Sequence, residues 1–332
     1  MFGRWLSFYT RYFAAWVVLF GLVAYRWPGP FVALRDYNKL FFSLTMFGIG
    51  AVLRAEDFKR ILQQPVVVLI GSAAQFTIMP LGAFLVTRLL GLPDELAVGL
   101  ILAGSAPGAM ASNVMSYIAK ADTAYSVSLT TVSTLLCPLL TPGLTFVLAK
   151  GTKLDVPFWA MMLDVLVMVV IPLFVGFGVR HALREKMERI QPVFPALSVT
   201  FIIFICSLVI ALNRDRLAQV TGPVLAAVLI LNVYGLTAGY GVGSLFRMNR
   251  ARRRTLTIEI GMQNAGLGAT LALAHLGPTA AIPAAIFVFV CILTASVLTS
   301  CWQKSPPELE TRDSKSQKNP KHETQRSADN VQ

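Results

Sequence analysis

The stretch that decides the fold reads Glu259-Ile260-Gly261-Met262-Gln263-Asn264-Ala265-Gly266-Leu267-Gly268. It places a carboxylate, two amides and three glycines inside an apolar segment, residues 254–276, that is long enough to span a membrane. Glycine disfavours a helix, so the backbone is expected to unwind here. An ionised glutamate costs about 2.5 kcal/mol or more in hydrocarbon on insertion scales. Glu259 must therefore meet a cation, a partner group or a proton.

A second break lies in the apolar segment 95–119, which contains Gly104-Ser105-Ala106-Pro107-Gly108-Ala109-Met110-Ala111-Ser112-Asn113. Proline has no amide hydrogen and glycine favours no helix, so carbonyls and amides here lose their intrahelical partners. In lipid such groups are costly unless protein, water or an ion satisfies them. One such break is more often a packed kink, but two favour a binding site.

The rest of the chain is as apolar as these segments. Of its 332 residues, 55% are hydrophobic and 14% are charged, far more apolar than a soluble domain requires. A spanning helix needs roughly 20 apolar residues, and ten runs qualify. They fall near 12–28, 38–54, 65–90, 95–119, 123–149, 157–180, 193–213, 221–246, 254–276 and 279–301. The sequence predicts an all-α polytopic membrane protein with ten transmembrane helices.

The charges fit membrane topology better than nucleic-acid binding, because the lysines and arginines that give a net charge of +12 lie between apolar runs. With the amino terminus inside, 21 of the 29 lysines and arginines fall on one side and 8 on the other. The positive-inside rule then predicts a multi-pass protein of the plasma (inner) membrane with both termini cytoplasmic. Residues 303–332 are polar and predict a disordered tail.

Ten helices divide into two groups of five, and halves with an odd number of helices insert in opposite orientations. The first repeat would cover about 10–150 and the second about 155–302 within a transmembrane domain of residues 1–302. The broken segments are the fourth helix of each half. This arrangement suits a carrier better than a receptor or channel.

Further oxygen donors stand in other apolar segments. Ser126, Thr130 and, one turn on, Ser133 or Thr134 form a hydroxyl stripe that either packs helices together or provides ligands. Gln75 is an isolated amide that makes either an interhelical hydrogen bond or a ligand contact. Sodium, a hard cation, prefers such oxygens and is a suitable partner for Glu259.

Several motifs together resemble the signature stretches of the bile acid:sodium symporter family. They are Pro107-Gly108, Ala111-Ser112-Asn113, Ser126-Val127-Ser128-Leu129-Thr130-Thr131-Val132-Ser133-Thr134-Leu135 and Thr257-Ile258-Glu259-Ile260-Gly261-Met262-Gln263-Asn264-Ala265-Gly266-Leu267. The similarity extends over roughly residues 10–300. It implies two inverted five-helix repeats, divided into a panel and a core domain whose two discontinuous, crossing helices hold two sodium ions.

Carried over by position, the resemblance also implies ligand sets. The first sodium falls among Ser112, Asn113, Ser126, Thr130 and Glu259. The second falls among Gln75, Glu259, Ile260, Met262 and Gln263, where Ile260 and Met262 would provide backbone carbonyls. The positions expected to face the substrate are Asn264, Pro107, Gly108, Ala109, Met110, Cys291 and Ile292.

The substrate positions depart from relatives. Bacterial members often have Pro-Gly-Gly-Thr where this chain has Pro107-Gly108-Ala109-Met110, and a His-Asn pair of relatives corresponds to Cys291-Ile292. The predicted function is symport of sodium with a small organic anion, such as a bile acid-like, pantoate-like or other carboxylate or sulfonate, by alternating access. The lipid bilayer is the other partner; no nucleic acid and no obligatory protein partner is inferred.

Two other functions are alternatives to sodium symport. In a proton-coupled or uncoupled organic anion carrier, Glu259 would be neutralised by a proton. An intramembrane enzyme is disfavoured, because the helices contain no HExxH, no GxSxG and no paired catalytic acids.

Three more features call for an interpretation. Asp164 either faces the central cavity or lies near the outer interface, and we favour the interface. His275, at a helix end, is interpreted as an interfacial residue rather than a proton relay. Gly235, Gly239 and Gly243 recur every four residues and predict a close helix contact.

Overall fold

The computed structural model describes residues 9, 12–183, 190, 193–215 and 217–303. Nearly all of the predicted polar tail, 303–332, lies outside the described residues. Within the described part the chain is helical, with single β-bridges as its only extended pairing. The fourteen helices are α1 Phe13–Arg26, α2 Gly29–Ala33, α3 Asn38–Gly50, α4 Ala55–Gln63, α5 Pro65–Leu89, α6 Asp94–Gly104, α7 Ala111–Ile118, α8 Thr123–Leu148, α9 Phe158–Leu183, α10 Val193–Asn213, α11 Leu217–Leu245, α12 Arg250–Gly261, α13 Ala265–His275 and α14 Ile282–Gln303.

Six of these helices are long and apolar enough to cross a membrane: α5, α8, α9, α10, α11 and α14. Two more of the ten predicted spans are interrupted as expected, since segment 95–119 divides into α6 and α7 and segment 254–276 into α12 and α13. The remaining two, α1 and α3, have 14 and 13 residues. The chain is thus an all-helical polytopic membrane protein.

Helix α4 was missed by the sequence interpretation, which treated the residues between 54 and 65 as a loop. The helix begins where the Arg54 amide donates to the Asp57 carboxylate at 2.9 Å, an interaction that satisfies a donor at the helix start. Phe58 packs edge-on against Phe177 of α9. The short amphipathic helix therefore connects α3 to α5 while contacting a third helix.

The helices associate in two groups. Helices α1, α3, α9 and α10 pack on one another and form what we call the four-helix group. Helices α5–α8 and α11–α14 form the second, which we call the broken-helix group because it contains both interruptions. Among the contacts between the groups are those of α9 with α8 and of α10 with α14.

The glycines of α11 explain one of the closest contacts. A Cβ at Gly239 would lie 2.5 Å from the Leu256 carbonyl oxygen, and one at Gly243 would lie 2.7 Å from Cγ of Arg253. A Cβ at Gly235 would lie 2.5 Å from the Met79 sulfur. The predicted small-residue contact is confirmed, and it holds α12 against α11.

Candidate functional site

The two breaks meet and pair with each other. The Ala109 amide donates to the Met262 carbonyl at 2.9 Å, and the Asn264 amide donates to the Pro107 carbonyl at 2.8 Å. Gly108 and Gln263 thereby form an isolated antiparallel bridge. The crossing satisfies backbone groups that unwinding has exposed, as an apolar environment requires.

Glu259 lies in the last turn of α12, directly before the crossing, and is only 2% exposed. Its Oε2 accepts hydrogen bonds from Ser112 Oγ at 2.5 Å and Ser126 Oγ at 2.9 Å, and its Oε1 accepts one from Thr130 Oγ1 at 2.5 Å. These three hydroxyls are the only hydrogen-bonding partners of its carboxylate in the described chain, and none is cationic. The charge is therefore met by hydroxyl groups alone.

Asn113 completes this group of oxygens. Its Oδ1 lies 2.8 Å from Ser126 Oγ and 3.3 Å from Thr130 Oγ1, so each of these hydroxyls has both Asn113 and Glu259 within hydrogen-bonding distance. A hydroxyl has one proton to donate. The five contacts between the hydroxyls of Ser112, Ser126 and Thr130 and the acceptor oxygens thus outnumber the three available protons, and such a cluster of oxygens is the environment that a hard cation prefers. The structure brings together all five residues predicted for the first sodium.

Gly108 brings the first break directly against Glu259. A Cβ added at Gly108 would lie 2.4 Å from Glu259 Oε1, so that a side chain here would require the carboxylate to shift. The Gly108 amide also donates to Ser133 Oγ at 3.3 Å. Glycine at this position lets the backbone pass directly beside the carboxylate.

The residues predicted for the second sodium form a neighbouring chain of hydrogen bonds. Gln75 Nε2 donates to Gln263 Oε1 at 2.7 Å, and Gln263 Nε2 donates to the Ile260 carbonyl at 3.0 Å. Gln75 Oε1 is buried and has no hydrogen-bond partner among the described residues. The Met262 carbonyl points to the crossing, where it accepts the Ala109 amide. In the described part of the protein, the Glu259 carboxylate makes no hydrogen bond to these residues, and only the backbone connects it to Ile260, Met262 and Gln263.

The predicted substrate positions differ in exposure. Ala109, Met110, Asn264 and Ile292 are partly exposed, whereas Pro107, Gly108 and Cys291 are buried. Asn264 Oδ1 accepts the Leu267 amide at 3.2 Å and so caps α13. The Cys291 thiol hydrogen-bonds within its own helix, to the Val288 carbonyl. The role of these positions in substrate binding stays a prediction.

Asn232 of α11 was missed by the sequence interpretation. It is fully buried, and its Nδ2 donates to the Gly261 carbonyl, the last residue of α12, at 2.9 Å. The available signal was a lone amide in the apolar segment 221–246, the same kind of signal that drew attention to Gln75.

Polar contacts at the start of α12 fix it against α7 and α8. Asp122 Oδ1 accepts the Tyr125 amide at 3.0 Å, and its Oδ2 lies 3.3 Å from Arg252 Nε. Arg254, which is buried, donates to the Ala119 carbonyl at 3.1 Å. Since Glu259 follows on the same helix, these contacts help to place its carboxylate beside the hydroxyls of α7 and α8.

Asp164 connects three helices. Its Oδ2 lies 2.5 Å from Lys39 Nζ of α3 and 2.7 Å from His275 Nε2 at the end of α13. The side chain of Asp164 is 27% exposed. The carboxylate therefore links the four-helix group, through α3 and α9, to the broken-helix group, through α13.

The sequence model of the Sodium Bile acid symporter family matches residues 39–220, more than half of the chain. The chain belongs to this family. The family resemblance drawn from the motifs is thereby confirmed.

Relatives of this family member are found in bacteria, plants and mammals. The uncharacterized sodium-dependent transporter YocS of Bacillus subtilis is 39% identical over 292 residues, which cover 88% of this chain and 91% of that protein. A probable chloroplastic sodium/metabolite cotransporter of Arabidopsis thaliana is 32% identical, over 92% of this chain and 78% of its own length. The hepatic sodium/bile acid cotransporter of Rattus norvegicus is 28% identical, over 84% and 81%. This family member is a transmembrane transporter of a sodium-dependent family and not an enzyme.

Proposed function

We propose that this chain is a symporter that couples sodium to the transport of a small organic anion by alternating access. The observation that carries the proposal is the environment of Glu259, a buried carboxylate at the crossing of two broken helices. Hydroxyl and amide oxygens surround it, and its hydrogen-bonding partners among the described residues include no cationic side chain. The relatives named as sodium-dependent transporters and sodium cotransporters support sodium as the driving ion.

Two sodium sites are proposed. The first uses Glu259 with the oxygens of Ser112, Asn113, Ser126 and Thr130. A bound ion there would supply the positive charge that the hydroxyls lack, and the hydroxyls would turn their lone pairs toward it.

The second site is proposed at Gln75, Glu259, Ile260, Met262 and Gln263. The unpartnered Gln75 Oε1 and the carbonyl of Ile260 are oxygens of the kind that sodium accepts as ligands. Met262 and Gln263 lie within the crossing itself, so an ion here would stiffen the unwound backbone.

The architecture that we propose has ten spans in two inverted repeats, about 10–150 and 155–302, within a transmembrane domain of residues 1–302. The helix contacts support this repeat, in which each helix of the first half has a counterpart at the same place in the second half. Exchanging every helix for its counterpart turns the packed pair α1–α10 into α9–α3, the pair α5–α6 into α11–α12, and the pair α6–α14 into α12–α8. All six of these pairs pack. The same exchange relates the two backbone hydrogen bonds of the crossing. The four-helix group would be the panel and the broken-helix group the core.

The substrate is proposed to bind at the crossing, beside Asn264 and at the positions Pro107, Gly108, Ala109, Met110, Cys291 and Ile292. Helices α7 and α13 both begin at the crossing. The amino end of a helix carries a partial positive charge and therefore stabilises a bound anion. A carboxylate or sulfonate, such as a bile acid-like or pantoate-like anion, suits this environment. The multi-pass protein would lie in the plasma (inner) membrane with both termini cytoplasmic.

In the proposed cycle, sodium tightens the two unwound segments and so orders the anion site. Movement of the broken-helix group against the four-helix group then changes which side of the membrane the site faces. Sodium must raise the affinity for the anion by the same factor by which the anion raises the affinity for sodium.

Glu259→Gln tests the proposal, because it keeps the shape of the side chain and removes its charge. Purified protein would be screened with organic anions by thermal shift, with and without sodium, and the anion that stabilises it would be used for uptake into proteoliposomes. We expect Glu259→Gln to lose both the thermal shift caused by sodium and sodium-driven uptake, while Glu95→Gln, which alters an exposed carboxylate, keeps both. Unchanged sodium dependence in Glu259→Gln would reject the assignment.

A proton-coupled or uncoupled carrier is the second candidate. It is favoured by the same absence of a cationic side chain among the described partners of Glu259, since a proton would also neutralise that carboxylate. Uptake measured at fixed pH with sodium replaced by choline separates the two. Uptake that continues in choline supports the second candidate and contradicts sodium coupling.

A further inference from the structure

Two long helices each present one buried amide to the same stretch, residues 260–263, where α12 ends and the break begins. From α5, Gln75 reaches Gln263, which in turn holds the Ile260 carbonyl. From α11, Asn232 holds the Gly261 carbonyl at 2.9 Å. Gln75 is already among the proposed sodium ligands, whereas Asn232 has no assigned role.

Packing alone does not explain an asparagine at position 232, because burying its amide group destabilises the fold. Its side chain is fully buried in an apolar helix, and its Oδ1 has no hydrogen-bond partner among the described residues. A buried amide oxygen without a partner destabilises the fold. An apolar residue of similar size would avoid that cost, so the value of the amide must come from the bond that Nδ2 makes to Gly261.

That bond acts at the point where α12 ends and the break begins. Gly261 is the last helical residue, and Met262 is extended, with φ of −111° and ψ of 104°. Because peptide units are rigid planes joined at each Cα by two dihedral angles, holding the Gly261 carbonyl limits the directions of its neighbours. Those neighbours are the carbonyls of Ile260 and Met262, which are proposed as ligands of the second sodium.

The helix that bears Asn232 is pressed directly onto the break. A Cβ at Gly235, one turn along α11, would lie 3.2 Å from the Ile260 carbonyl oxygen and 3.3 Å from Cα of Gly261. The backbone of α11 therefore forms a fixed wall behind residues 260 and 261. Asn232 extends from this wall and restrains the Gly261 peptide.

We propose that Asn232 is a positioning residue of the second sodium site, which orients the Ile260 and Met262 carbonyls through its hydrogen bond to Gly261. The inference rests on the proposed function. It assigns to α11, which contributes no ligand, control over the affinity of one of the two ions.

The test compares Asn232→Leu with Asn213→Leu. Asn213 is the matched control, since it is also buried and its Nδ2 donates to the Pro278 carbonyl at 3.0 Å and to the Val209 carbonyl at 2.8 Å. Pro278 follows the carboxyl end of α13, whose amino end lies at the crossing. Sodium binding to purified protein would be followed by thermal shift over a range of sodium concentrations, with choline holding the ionic strength constant. The readouts are the sodium concentration at half-saturation and the Hill coefficient.

For Asn232→Leu we expect the half-saturating sodium concentration to rise about 3- to 10-fold, the range that corresponds to one lost buried hydrogen bond. The Hill coefficient should fall from near two toward one, because the first site keeps its ligands. Asn213→Leu should change the melting temperature without changing either sodium parameter. If Asn232→Leu has the same half-saturating sodium concentration and Hill coefficient as the wild-type chain, the inference is wrong and Asn232 acts only in helix packing.

A second measurement remains decisive if Asn232→Leu fails to fold. Asn232→Ala removes the Nδ2 donor and introduces no charge, so it should show the same loss of sodium affinity. In a Gln75→Leu background, where the second site is already weakened, Asn232→Ala should add little, and a full additive loss would contradict a shared site. If the wild-type chain shows no sodium response, both the proposed function and the inference are wrong. If Glu259→Gln loses the sodium response and the Asn232 variants keep it unchanged, only the inference is wrong.

Discussion

Among the described residues, Glu259 receives all of its side-chain hydrogen bonds from hydroxyl groups, and a hydroxyl can rotate. In the arrangement seen here, Ser112, Ser126 and Thr130 direct protons at the carboxylate. After a cation enters, the same oxygens can offer lone pairs to it while the carboxylate provides charge. The site is thus stabilised both empty and occupied, without a basic residue that would compete with the ion.

Removing one of these hydroxyls should weaken sodium binding. Thr130→Val keeps the shape of the side chain and loses a hydrogen bond to a charged group, which typically contributes about 1.5–3 kcal/mol. We expect the half-saturating sodium concentration to rise about tenfold or more, as measured by equilibrium binding of radioactive sodium. Thr145→Val is the control, since Thr145 is buried in the same helix and bonds only to the Thr141 carbonyl. Equal effects from both variants would contradict a specific role for Thr130.

Gly108→Ala should displace the carboxylate, because the new Cβ would lie 2.4 Å from Glu259 Oε1. We expect a large loss of sodium affinity in the same binding measurement. Gly143→Ala provides the comparison, since its Cβ would meet nothing closer than Cε2 of Phe158 at 3.6 Å. In a helix that exchange should be neutral or stabilising by about 0.5–1 kcal/mol. Wild-type sodium affinity in Gly108→Ala would show that the carboxylate does not need its observed position.

At the scale of the element, the two broken helices are stable in an apolar environment because the backbone groups of each break hydrogen-bond to those of the other. Pairing of residues 107–109 with 262–264 replaces the hydrogen bonds that the helices give up. The pairing also places the ends of α6 and α12 and the starts of α7 and α13 at one point. Side chains from four half-helices can therefore converge where a continuous helix would present only one face.

The start of α12 is held by Asp122, and its two interactions can be separated. Asp122→Asn should keep the cap on the Tyr125 amide and weaken the ion pair with Arg252, at a cost of about 0–1 kcal/mol, since a partly exposed pair contributes little. Asp122→Ala should also lose the cap, a further loss of about 0.5–2 kcal/mol. Thermal unfolding in detergent measures both. A larger loss in the asparagine variant than in the alanine variant would contradict this division.

At the scale of the whole molecule, Asp164 joins the two helix groups through a side-chain hydrogen bond. Its partner Lys39 belongs to the four-helix group, as Asp164 itself does, whereas His275 belongs to the broken-helix group. The proposed movement of one group against the other would separate Asp164 from His275. It would leave the contact between Lys39 and Asp164 intact.

Cross-linking should distinguish these contacts. In a Cys301→Ser background, which removes the exposed cysteine, Asp164→Cys with His275→Cys should be joined by a bifunctional methanethiosulfonate reagent, which spans the gap left by the native side chains. This cross-link should stop uptake and be reversed by reduction. Asp164→Cys with Lys39→Cys should cross-link within the four-helix group and leave uptake largely intact. Full uptake by the cross-linked 164–275 variant would contradict movement between the groups.

The sequence by itself determined the features that depend on local composition. Apolar runs established a helical membrane protein, and glycine and proline placed the breaks at 104–113 and 259–268, because backbone preference is a property of each residue and its neighbours. It also showed that Glu259 needs a compensating charge, since the cost of a carboxylate in lipid does not depend on the fold. Helical spacing indicated Ser126 and Thr130 as candidate oxygens for that charge, and the family resemblance supplied the complete ligand sets.

Only the tertiary structure decided which groups meet. Glu259 lies 147 residues from Ser112 and 129 from Thr130 along the chain, and neither periodicity nor composition specifies contacts between helices. The helical state of residues 55–63, the bond from Asn232 to Gly261 and the partners of Asp164 were decided in the same way. Each depends on how helices pack against one another, and packing is set by the shapes of all the side chains together.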